Sequence, residues 1–82
     1  MPPVKVLYVQ WDANTTYATK RATVVEIEEV FANRPVVQTN LRGRVATHLA
    51  IGSTDAGRKL TVAFVYHPQT FTAYPITAWE RS

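Results

Sequence analysis

Apolar residues recur along this chain in three rhythms, and each rhythm predicts a different element. The opening Val4-Lys5-Val6-Leu7-Tyr8-Val9-Gln10-Trp11 is almost continuously apolar, rich in β-branched and aromatic side chains, and preceded by Pro2 and Pro3. It predicts a first strand, either covered on both faces or central in its sheet. Val24, Ile27, Val30 and Phe31 then follow at i, i+3, i+4 spacing, the apolar stripe of an amphipathic helix. Beyond Pro35 the period falls to two. Val45, Thr47, Leu49 and Ile51 alternate with Ala46, His48, Ala50 and Gly52, and Leu60, Val62, Phe64 and Tyr66 alternate with Thr61, Ala63, Val65 and His67.

Polar residues punctuate these runs. Asp12 to Thr16 offers N-cap residues for a short first helix over Tyr17-Ala18-Thr19-Lys20-Arg21, and Thr23-x-x-Glu26 has the form of a capping box opening the second. Asn33-Arg34-Pro35 ends that helix, because a residue before proline avoids the α region. Ser53 to Gly57 forms a turn, so the two alternating runs make a hairpin, and His67-Pro68-Gln69-Thr70 turns the chain into a last strand over Phe71–Trp79. Pro75 lacks a ladder donor, which requires that strand to be an edge, bulged, or short on one side of the proline. The expected fold is α+β: a strand, two helices, then a three-stranded antiparallel meander, with the helices on one face of a four-stranded sheet. The other face is left for solvent or a ligand.

Composition narrows the function classes. At 82 residues the chain is one domain, 1–82, burying only about 60–65% of the surface its unfolded form exposes. It has no cysteine and two histidines, which removes disulfide frameworks, thiolate metal sites and Cys nucleophiles. Gly43, Gly52 and Gly57 fit neither a P-loop nor a dinucleotide fingerprint, and Ser53 and Ser82 lie in no nucleophile elbow. No apolar run reaches the roughly 20 residues of a membrane span, and no secretory leader pattern opens the chain. A soluble, cytoplasmic protein without a cofactor, metal or membrane partner is expected. The net charge of +3 is uneven: Met1 to Asn33 sums to −1 and Arg34 to Ser82 to +4, a balance that suits a polyanion.

The side chains in that basic half could handle a phosphodiester without a metal. Arg42, Arg44, Arg58, Lys59 and Arg81 can neutralise phosphate charge, His48 and His67 can exchange protons near neutral pH, and Tyr66, Tyr74 and Trp79 can stack on bases. The same residue types also furnish ordinary exposed sheet faces.

Several segments together resemble the BrnT-like toxins of type II toxin–antitoxin systems, which share the RelE-type ribonuclease fold. They are Trp11-Asp12-Ala13-Asn14, the pair Lys20-Arg21 ahead of Thr23-x-x-Glu26-x-Glu28-Glu29-Val30-Phe31-Ala32-Asn33-x-Pro35, the stretch Leu49-Ala50-Ile51-Gly52-x-Thr54-x-Ala56-Gly57-Arg58-x-Leu60-x-Val62, and Tyr74-x-Ile76-Thr77-Ala78. The resemblance implies a metal-independent endoribonuclease and a cognate antitoxin, in a homo-oligomer or a toxin–antitoxin hetero-oligomer. It places Arg58 at the family's arginine after the hairpin glycine. It departs where Arg21 stands for a histidine, where Trp79 stands for an arginine, and where a basic tail is replaced by Glu80-Arg81-Ser82. On that reading an RNA 2′-hydroxyl attacks its own phosphate, Arg58 and Arg44 stabilise phosphate charge, and His48, His67 or Lys20 exchange protons. Tyr66 and Tyr74 position a base, and Arg42, Lys59, Trp79 and Arg81 complete the RNA contact. Two other classes compete: a non-catalytic member binding a protein or nucleic acid through the open sheet face, and a small adaptor dimerising through the Phe71–Trp79 strand.

Overall fold

The hairpin expected around Gly57 is the spine of the molecule. In the computed structural model, which describes residues 5–11 and 22–80, β3 (His48–Ser53) and β4 (Lys59–His67) pair antiparallel from His48↔Phe64 to Ser53↔Lys59. Gly57, at φ +89°, makes the turn, and Thr54 closes it by accepting the Gly57 and Arg58 amides on its carbonyl and hydroxyl. β5 (Thr72–Glu80) pairs antiparallel with β4 on the far side.

Pro75 is accommodated by a bulge. The register runs Phe64↔Pro75 and then Ala63↔Thr77, so Ile76 is an extra residue in β5. Strict alternation from Ala73 would carry Trp79 onto the face of Ala73 and Pro75. The inserted residue reverses this, so Ala78 and Glu80 share a face with Val62 and Leu60, and Trp79 shares the opposite face with Thr61.

The sheet has five strands, in the order β1-β5-β4-β3-β2, where four were expected. The additional strand is β2 (Val36–Thr39), antiparallel to β3 and too short to display a period of its own. The first strand also differs. β1 (Tyr8–Val9) is two residues long, parallel to β5 and at the sheet edge, held by the Leu7 and Tyr8 amides on the Phe71 carbonyl and the Gln10 amide on Ala73. Its continuous apolar character reflects an exposed Leu7 and Tyr8 beside a Val6 and Trp11 packed on the core, and not central placement.

One helix, α1 (Val24–Ala32), stands among the described residues where two were expected, and the first helix expected over Tyr17–Arg21 lies outside them. The capping box forms: the Thr23 hydroxyl accepts the Glu26 amide and the Glu26 carboxylate accepts the Thr23 amide. Ile27 and Val30 are fully buried against Ala50, Leu60, Val62 and Phe64, and Phe31 meets Phe64 edge-on at 5.1 Å. Val24, expected on the buried stripe, is exposed at the first turn. Gly52 permits the close approach of the helix end, since a Cβ there would lie 3.1 Å from Pro35 Cβ and 3.3 Å from Val30 Cγ1. No helix among the described residues is long and apolar enough to cross a membrane.

Candidate functional site

The residues proposed for catalysis fall into separate places. Arg58 lies just before β4, where the hairpin turn delivers it to the N-terminal end of α1. Its Nη1 reaches both Glu26 carboxylate oxygens at 3.1 Å, and its Nε donates to Glu80 Oε2 at 2.6 Å. The Thr23 amide, and next to it the Arg58 guanidinium, hold the Glu26 carboxyl below the ordinary 4.5. Glu80 and Glu26 in turn make the guanidinium harder to deprotonate. Among the described residues two carboxylates flank this cation, tying helix, hairpin and last strand together.

The imidazole and phenol groups gather at the other end of the sheet. His48 opens β3 on the helix-bearing face, 5.8 Å from the Phe64 ring and 5.4 Å from the Tyr66 ring, with Nδ1 2.8 Å from Thr47 Oγ1. Partial burial favours its neutral form, lowering its pKa from 6.5. The Tyr66 hydroxyl donates to the Lys5 carbonyl at 2.6 Å. His67 and Tyr74 lie on the opposite face, edge to face at 4.8 Å. At about 3.3 Å per strand residue, the six steps from Arg58 to Phe64, the partner of His48, span roughly 20 Å. Arg58 is thus brought together with neither histidine. Lys20 and Arg81 lie outside the described residues. Among the described residues no group of three or more His, Asp or Glu side chains is placed to hold a metal ion.

The face away from α1 is organised differently. Leu49, Ile51, Thr61, Ala63, Val65, Thr77 and Trp79 share it, by register across β3, β4 and β5. No helix or strand among the described residues is layered on it. The β2–β3 loop arches over one side, fixed by Asn40, whose side-chain amide donates to the Ala46 carbonyl and whose Oδ1 accepts the Leu41 amide. Between this loop and β5 lies a groove of about 390 Å³ with Leu49, Ala63 and Thr77 along its floor, Leu41 and Val45 on one wall, and Ile76 and Trp79 on the other. The bulge brings Ile76 and Thr77 to the groove together. Leu41, Val45 and Trp79 are 71%, 77% and 37% exposed.

The described acidic side chains all gather on the helix side of this sheet. Glu26, Glu28 and Glu29 belong to α1, Glu80 is drawn to Arg58, and Asp55 is tied to the helix side by Asn33 and through its amide to Glu29. The open face carries Arg44 at the groove and Lys59 by alternation from Thr61, and Arg42 stands in the same loop as Arg44. Sequence reasoning named those cations and Trp79, but missed Leu41, Val45, Leu49, Ala63, Ile76 and Thr77. The available signal was a pair of apolar residues inside a basic loop, Leu41 and Val45, together with β3 and β4 runs that are apolar at both alternating sets of positions.

No protein-family model, no curated protein and no solved structure matches this chain.

Proposed function

We propose that this chain is a non-catalytic binding module that takes a protein partner on its open sheet face. The observation that carries the reading is the groove itself: a largely apolar trough of about 390 Å³, with Arg44 as its one charged lining residue, on a sheet face that no described helix or strand is layered on. Apolar side chains as exposed as Leu41 and Val45, gathered around one concavity, mark a surface that buries itself against something. Its floor is aliphatic and Trp79 is its one aromatic ring, which suits side-chain packing better than base stacking. The antitoxin that the BrnT-like resemblance implies is a partner of this kind, and a cytoplasmic setting accords with it.

The endoribonuclease reading asks more of the geometry. Arg58 would have to leave two carboxylates to meet a phosphate, and of the two histidines His48 stands roughly 20 Å from it and His67 farther along β4. Induced expression in bacteria separates the two, with growth and total RNA integrity followed together. The binding-module reading expects unimpaired RNA from wild-type and His48→Ala chains alike. Growth arrest with RNA loss that disappears in His48→Ala would overturn it.

A further inference from the structure

Resting on that reading, we infer that the occupant of the groove is an amphipathic helix of a partner protein, bearing acidic residues along the margins of its apolar stripe. Size is the first argument. β3 and β5 stand about 10 Å apart with β4 between them, so the trough matches a helix about 10–12 Å across. The central floor is small, Ala63 and Thr77, between the larger Ile76 and Trp79 on one side and Leu41 and Val45 on the other, leaving room for a ridge of inserted side chains. A helix there would give the open face the second layer that α1 already gives the other.

Charge chooses the partner. Arg44 and Lys59, with Arg42 in the loop beside the groove, meet no described carboxylate on this face, because the described acidic residues all stand on α1, in the turn tied to it, or on Arg58. A second copy placed face to face would set these cations against their own kind across an apolar contact, which costs affinity. An acidic helix would complete them, with Arg44 able to grip a carboxylate in two-point fashion.

The test uses the wild-type chain, labelled for residue-resolved NMR, and three probes. Two are helical peptides of about 18 residues, roughly 27 Å long, with the same leucine stripe and either glutamate or lysine flanks. The third is a mixed-sequence single-stranded RNA. The glutamate peptide is expected to shift the amides of Leu49, Ala63 and Thr77 and the Trp79 indole, leaving those of α1 in place, and to bind about tenfold tighter than the lysine peptide at low salt. The double variant Arg44→Glu, Lys59→Glu should reverse that preference. Equal binding of both peptides would overturn the acidic partner while leaving the binding module standing. Shifts on this face caused by RNA and by neither peptide would overturn both. Self-association of the free chain that buries Trp79 would replace the partner with a second copy and overturn the inference.

Discussion

Arg58 shows how much a side chain's role depends on what the fold sets beside it. In sequence it is a lone cation after a turn glycine, suited to a phosphate, and in the structure it bridges Glu26 and Glu80. Arg58→Ala is therefore expected to lower the melting temperature and to free the ends of α1 and β5, a modest loss because solvent screens all three groups. The pH dependence has a definite sign. Glu26 has a lowered pKa when folded, so its contribution is present above about pH 4.5 and is lost as pH falls through the lowered value. In Arg58→Ala this acid-side loss should shrink, as thermal melts between pH 3 and 7 would record.

His48 titrates in a different window. Its folded pKa is also lowered, here by desolvation of the imidazolium, so the associated stability is present above 6.5 and is lost as pH falls through the folded value. A His48→Leu chain should show a flatter stability curve near pH 6 while keeping the Glu26 limb below pH 4.5. Unchanged curvature near pH 6 would remove His48 from that window.

The elements were legible wherever a local signal agreed with packing. The capping box, the Ile27 and Val30 stripe and the alternation across Gly57 are each decided within a few residues, and they stand where the pattern places them. β2 was not legible, because four residues carry no period and its pairing with β3 is decided by partner and not by pattern. The bulge was one of three alternatives at Pro75, yet its consequence for Trp79 needs the register with β4. Gly52 gives a direct test at this scale. Gly52→Ala would push a methyl into Pro35 and Val30 at the helix end, and should destabilise the fold by about 1–3 kcal/mol as measured by denaturant unfolding. The same substitution at Gly43, where a Cβ meets nothing within 4 Å, would act through its φ of +82° alone.

Over the whole molecule, the sheet sorts the chain's chemistry onto two faces and two ends. The helix side gathers the acidic residues and the core, the open side carries Arg44, Lys59 and the apolar groove, and along β4 His48 pairs about two-thirds of the strand away from Arg58, with His67 at the far end. The sequence carries the residue types of this arrangement and the uneven charge, but separation along β4 and the choice of face follow from register, which single residues do not disclose. The proposed function is binding through the open face, without cleavage of RNA. Incubating the purified wild-type chain with mixed-sequence RNA, and resolving product lengths and ends, tests it most directly. Intact RNA from a folded, monodisperse chain is the predicted result. Shortened RNA with 2′,3′-cyclic phosphate ends, abolished in His48→Ala, would contradict it.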